Sequence, residues 1–308
     1  MESLDWGQLP QQLVNGLQLG AIYALIALGY TMVYGVLKLI NFAHGDVYMV
    51  GMYLAYYTAM QWFNREAMNP YVLLFLMLII SMVGCALLGL LIERVAYRPL
   101  RNAPRISVLI TAIGVSLLLE HGGLLVFKTS PPPSIAQDVN VFSQTMDIFG
   151  VAVTQSRLVV FGVTVVLMFL LWYFVTQTQT GRAMRAVSHD FNTAALMGVN
   201  VSRIIGITFI IGSALAGAGG MMNATALGTP LTTFAGLLPG VKAFVAAVLG
   251  GIGNIPGAVV GGFIMGIAEN LVVWGGLGGY KDAVAFVILI IILLLRPGGL
   301  FGSPVDKV

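Results

Sequence analysis

NPYVLLFLMLIISMVGCALLGLLIER (69–94) contains no charged residue before Glu93, and the gap extends back to Glu66. A helix crossing the ~30 Å hydrocarbon layer needs about 20 mostly apolar residues, so this stretch reads as a membrane span. The same emptiness recurs between Asp5 and Lys38, between Arg157 and Arg182, and between Arg203 and Lys242. Over all 308 residues, 58% are apolar and 9% are charged, against roughly 25% charged in a soluble domain. No single water-soluble shell hides that much apolar surface. An ordinary cytosolic enzyme is excluded, and the fold class is an all-α polytopic inner-membrane protein. A formal net charge of +3 is too small to argue for a nucleic-acid partner. Cys85, the sole cysteine, lies in an apolar run and reads as a small buried residue rather than part of a disulfide or metal cluster.

Apolar runs read against their breakers give spans near 11–29, 45–63, 70–92, 106–127, 157–176, 204–224, 236–252, 256–275 and 282–296. Eight or nine crossings are expected in one membrane-embedded domain, 1–308. Glu2 and Asp5 precede the first span without any Lys or Arg, so no cleavable signal is expected there. Arg94, Arg98, Arg101 and Arg105 mark one loop, and Arg182, Arg185 and Arg203 mark another, about 180–203. Positive loops stay in the cytoplasm, which places both inside and the Pro131–Pro133 loop, about 128–157, outside. With nine spans the Arg296 end lies inside; a re-entrant 236–252 would reverse it.

Two places break the helical pattern. One is Leu39–Asp46, with Asn41, His44, Gly45 and Asp46. The other is GGIGNIPG (250–257), with four glycines, Asn254 and Pro256. Irregular backbone at membrane depth is tolerated only where protein or a water-filled cavity satisfies it. Paired breaks in two halves of a chain also point to a substrate path and to an inverted repeat. A short cytoplasmic turn is the alternative reading of the first break. Intramembrane charges are costly and are usually paired or functional. Lys242 and Glu269 bracket the second break, where a hairpin brings them to similar depth, either as an internal salt bridge or in the pathway. Glu120 and His121 pair with a neighbouring helix or serve transport, whereas Lys281 and Asp282 read as interfacial, snorkelling residues. Gly16/Gly20, Gly257/Gly261 and Gly262/Gly266 have the spacing that lets helices touch closely, and are expected to serve internal packing.

The loop TGRAMRAVSHDFNTAALMGVNVSR (180–203) carries helix signals of its own. Asp190 stands as an N-cap and Gly198 as a C-cap around a helix of about two turns. So short a helix is marginal alone in water and is expected to pack against something. Phe191, Ala194, Ala195 and Met197, flanked by Arg182, Arg185 and Arg203, suit a groove on another cytoplasmic protein. The chain has no phosphate-binding G-x-x-x-x-G-K-[ST] loop and no nucleophile–base motif. Any ATPase is therefore a separate subunit.

Four segments then carry a resemblance: GYTMVYGVLKLINFAHGDVYMVG (29–51), IERVAYRPLR (92–101), GRAMRAVSHDFNTAALMGVN (181–200) and VKAFVAAVLGGIGNIPGAVVGGFIMGIAEN (241–270). In this order they resemble the permease subunits of branched-chain amino acid ABC importers, the shorter of the two permease types. The resemblance implies leucine, isoleucine and valine as substrates, delivered by a periplasmic amino-acid-binding protein. It implies a second, longer permease subunit and two cytoplasmic ATPase subunits, with ATP bound by those partners and no cofactor in this chain. It further implies that Gly181–Asn200 is the coupling loop and that the regions of Asn41–Gly51 and Gly250–Glu269 line the path. Related permeases for urea or short amides share the INFAHG-type segment. The other class of reading is an ion-gradient-driven transporter or channel, with Asp46, Glu120 and Glu269 carrying protons.

Overall fold

The computed structural model describes residues 6–63, 68–101, 103–127, 145–148 and 151–302. Helix α1 (Leu9–Leu37) is the axis of the bundle and is buried along most of its length. Around it lie α2 (His44–Tyr57), α3 (Pro70–Ile92), α4 (Arg105–Phe127), α5 (Gln155–Gln177), α8 (Val201–Ala226), α9 (Leu237–Gly250), α10 (Ile255–Trp274) and α11 (Lys281–Leu295). Two shorter helices, α6 (Gln179–His189) and α7 (Phe191–Leu196), lie between α5 and α8. Among the described residues, seven helices are long and apolar enough to cross a membrane. Helix α2 continues through a π turn, Thr58–Trp62. Helix α9, with 14 residues, rises only about 21 Å.

That last value corrects one expectation: 236–252 is not a full helical span. The chain instead descends from the end of α8 through the non-helical segment LGTPLTTFAG (227–236) before α9 begins. Its counterpart is the non-helical segment 38–43 ahead of α2. Hydrogen bonds satisfy the descending segment: Tyr53 OH donates to Leu231 O at 3.1 Å and Asn223 Nδ2 to Thr229 Oγ1 at 2.8 Å. The described chain is otherwise helical apart from a hairpin that the sequence reading did not foresee. Strands β1 (Thr145–Ile148) and β2 (Val151–Thr154) pair antiparallel, with Thr145 opposite Thr154. Gln11 clamps this hairpin to the outer end of α1 through paired 3.0 Å bonds to Ala152. The rest of the Pro131–Pro133 loop lies outside the described residues.

Helix directions follow from which ends meet. Trp6 packs edge-on to Trp274 at 5.2 Å, whereas Leu300 and Phe301 donate backbone bonds to Leu249 and Gly250 near the opposite end of α10. Trp6 and Phe301 therefore lie on opposite faces, as nine crossings require. The pattern α1, break, α2, α3 is repeated upside down by α8, break, α9, α10. Helix α1 packs along α10 as α3 packs along α8, which is an inverted repeat.

The seams are made by glycine. A Cβ added at Gly16 would lie 2.8 Å from Ile267 Cα, and one at Gly20 2.7 Å from Phe263 Cα. From the other side, a Cβ at Gly262 would lie 2.6 Å from Ala24 N. Lipid tails are as apolar as leucine, so close backbone packing of this kind holds the bundle together. Cys85 is fully buried and its Sγ donates to Val47 O at 3.2 Å. Gly20→Val is expected to destabilise the protein by ~3 kcal/mol. Gly114→Val, with nothing within 4 Å of the added carbon, should leave the thermal midpoint in detergent unchanged. Equal midpoints for the two variants would contradict the seam.

Candidate translocation site

The first break begins where α1 stops. Lys38 adopts the left-handed conformation, φ 56°, and its N–H closes the helix on Tyr34 O at 2.8 Å. The chain then turns back, and Tyr97 OH donates to Asn41 Oδ1 at 2.9 Å. Helix α2 starts at His44 without a side-chain N-cap. His44 is fully buried, lies edge-on to Tyr30 at 4.6 Å, and has no hydrogen-bond partner at either ring nitrogen. The next residue, Gly45, meets the second break directly: a Cβ there would lie 2.5 Å from Gly236 O and 3.1 Å from Gly240 Cα. The starts of α2 and α9 thus abut and run away from each other, α2 outward and α9 inward.

Beside this junction lies a cavity of about 430 Å³. Its walls are largely hydrocarbon, including Ile113, Leu117, Leu237, Val241 and Phe244. Its polar groups are few. Ser116 Oγ donates to Asp46 Oδ2, while Asp46 Oδ1 and Glu120 Oε1 are buried without a partner. Ser116 and Glu120 are one helical turn apart on the same face of α4. The lining holds no Lys, Arg or His. Against this, a helix dipole is positive at its start, although His44 N, Asp46 N and Leu237 N already donate to Asn41 O, Ala43 O and Phe234 O. Two such ends stand beside two carboxyl groups. The arrangement fits a small solute with a cationic donor group, an anionic acceptor group and an apolar body.

The family of branched-chain amino acid transport system permease components matches residues 12–293. The chain belongs to that family. It is 43% identical to the high-affinity branched-chain amino acid transport system permease protein BraD of Pseudomonas aeruginosa over 97% of both chains. The permease protein LivH of Escherichia coli K12 is 41% identical, again over 97% of both. A probable LivH of Methanocaldococcus jannaschii is 30% identical over 91% of this chain and 89% of its own.

Only some of the sequence-derived residues meet in this branched-chain permease relative. Asp46 and Gly45 line the cavity and His44 packs beneath it, while Asn41 ties the break to Tyr97. Asn254 lies elsewhere. Gly250–Gly257 is a tight turn between α9 and α10 near the inner face, with Gly251 and Gly253 at φ 98° and 96°. There Asn254 caps α10 by accepting from Gly257 N at 2.8 Å and donates to Phe301 O at 3.1 Å. The break that faces Asp46 is 227–236, because Gly236 leaves room for the backbone of Gly45.

Lys242 points to the other side of α9. Its Nζ lies 2.7 Å from Glu269 Oε1 and 2.6 Å from Asp282 Oδ1, and Tyr23 OH donates to Glu269 Oε2 at 2.8 Å. This joins α1, α9, α10 and α11, and it corrects the reading of Asp282 as a snorkelling interfacial residue. Sequence reading also missed Ser116, Gly236 and Gly240 as cavity residues. The available signal was the i, i+4 pairing of Ser116 with Glu120, and the Gly236, Pro239 and Gly240 cluster at the start of α9.

In the inner loop, Thr178 caps α6 by accepting from Gly181 N at 3.0 Å, and Gly181 packs against the carbonyls of Phe174 and Val175. Arg182 is exposed, and Arg185 donates to Val175 O. Asp190 accepts from Asn192 N at 2.7 Å and Thr193 N at 2.9 Å. Gly198, φ 84°, ends the turn, with Val199 N donating to Ala194 O at 3.0 Å. Ala194 is buried against the bundle, whereas Phe191, Ala195, Leu196 and Met197 face outward. Relative to the sequence reading, the apolar tip loses Ala194 and gains Leu196. Lys242→Met should destabilise by about 3–5 kcal/mol through the stranded carboxylates. Adding Glu269→Gln should recover part of the loss in detergent melting. A single variant as stable as the parent would show that the ion pairs contribute nothing.

Proposed function

We propose that the chain is one half of the translocation path of an ATP-driven importer for branched-chain amino acids in the inner membrane. A second, longer permease completes the path, two cytoplasmic ATPase subunits drive it, and a periplasmic binding protein delivers the substrate. Family membership supports the class. The observation that carries the site is the pair of partnerless carboxyl oxygens, on Asp46 and Glu120, facing a hydrocarbon-walled cavity at the meeting point of two helix starts.

The chemistry follows from that pairing. The ammonium group of an aliphatic amino acid donates to Asp46 and Glu120, its carboxylate turns toward the starts of α2 and α9, and its branched chain lies on Ile113, Leu117 and Val241. Buried polar groups of this kind cost free energy while unpaired, so a zwitterion with an apolar tail is favoured over a purely apolar solute. Selectivity set at delivery leaves this site free to be weak, so that substrate leaves as readily as it enters. Lys242, Glu269 and Asn254 hold the frame that shapes the path rather than its lining.

The exposed tip Phe191, Ala195, Leu196 and Met197, on α7 and its C-terminal turn, is the surface for the ATPase, with α6 as its lever against the bundle. The two amide bonds to the Asp190 carboxylate hold its pKa below the usual aspartate range. A group so lowered stabilises its helix above its unfolded pKa and loses that contribution as pH falls through the lowered value. The cap is therefore intact at neutral pH and lost only in strong acid.

Two experiments test the reading. In proteoliposomes holding the whole complex and binding protein, Asp46→Asn and Glu120→Gln should each lower ATP-driven leucine uptake on the order of tenfold, the scale of one charged hydrogen bond. Uptake at the parental rate in both would remove the site. Asp190→Pro should raise the ATP hydrolysed per leucine moved, because proline does not adopt the extended φ of −154° found there. An unchanged ratio would remove the lever. Uphill uptake by the chain alone under an ion gradient would favour the secondary-transporter reading instead.

A further inference from the structure

A second cavity, of about 370 Å³, opens at the inner face between α6, the end of α1 and the tight turn at Gly250–Gly257. It lies behind the lever helix and away from Asp46. Among the described residues its charged lining is Lys38 and Arg185, with His189 beside them and no Asp or Glu. Gly253, Asn254 and Ile255 bring the start of α10, a 20-residue helix, to the same wall. The positive end of a helix dipole adds to the field of the basic side chains. One further group points to a ligand. Thr31 is 1% exposed, lines this cavity, and its Oγ1 has no hydrogen-bond partner. A buried hydroxyl left unpaired is costly, and Thr31 is one of the residues that border this basic space.

We propose that this cavity binds a phosphate group. The basic side chains supply charge, the Thr31 hydroxyl donates to one oxygen, and the positive end of the α10 dipole adds to the field. A basic pocket between helices at the cytoplasmic end of a bundle suits an anionic phospholipid headgroup, and free inorganic phosphate offers the same chemistry. Bound there, the phosphate bridges α6 to α1 and α10 and stiffens the lever against the bundle. The Lys38 backbone suits this role, because its left-handed cap holds the residue at the edge of the cavity. Arg185 keeps donors free beyond the one given to Val175 O.

The test uses the full chain. Purified with mixed phosphatidylglycerol and phosphatidylcholine, the parent should retain one phosphatidylglycerol in native mass spectrometry, in preference to phosphatidylcholine. The double variant Lys38→Gln/Arg185→Gln should lower that retention roughly tenfold or more, given about one contact's worth of attraction per basic residue. Thr31→Val keeps the shape of a buried side chain and both cations, and it too should lower retention, with the thermal midpoint reporting that the variant is folded. In lipid-depleted detergent, inorganic phosphate that raises the parental midpoint but not that of the variants identifies the free anion as the source and supports the site equally. Retention or protection that is absent in the parent, or unchanged in either variant, overturns the proposal.

Discussion

Inside the hydrocarbon layer there is no water to accept a stray amide or carbonyl, so each backbone polar group needs a partner in the protein. This chain leaves helical geometry at membrane depth twice, at 38–43 and at 227–236, and the two departures protect each other. Gly45 rests on the backbone of Gly236 and Gly240, closer than any side chain would allow. Tyr97 bonds Asn41, Tyr53 bonds Leu231 and Asn223 bonds Thr229, while the Thr233 hydroxyl is buried without a partner. The breaks are therefore held in place by the glycine seams of α1 with α10 and of α2 and α3 with α8. Looser seams would expose both breaks to lipid.

The inverted arrangement has an electrostatic consequence. Two helices that begin at the same depth and run in opposite directions bring their positive ends together. A lone positive junction would be unfavourable in a low dielectric, and the carboxyl groups of Asp46 and Glu120 stand beside it. The site is then neither a pure anion hole nor a pure cation trap but both at short range.

Much of this was legible in the sequence because the bilayer reduces the problem to charge gaps and glycine. Spans such as Pro70–Ile92 and Gln155–Gln177 follow from runs without charge, and Asp190 and Gly198 declared the ends of α7 by local chemistry alone. What failed depended on depth. GGIGNIPG has the stronger breaker composition, yet it is a turn near the inner face, where breaking is easy. The break that meets Gly45, LGTPLTTFAG (227–236), is a milder sequence followed by a helix too short to cross. Asp282 looked interfacial because its neighbours are. Its bond to Lys242 joins residues forty positions apart in the chain, which no local pattern encodes.

Helix α9 ties these parts together. One face carries Lys242 into the ion pairs with Glu269 and Asp282, and the other carries Gly240, Val241 and Phe244 to the cavity. Across the cavity from this face lie Tyr30 on α1 and Ser116 and Glu120 on α4. Helix α6 packs on α1 and α8, two long helices that flank both breaks. The inner helix α6 thus touches the same two rods whose ends lead into the breaks on either side of the Gly45–Gly236 contact.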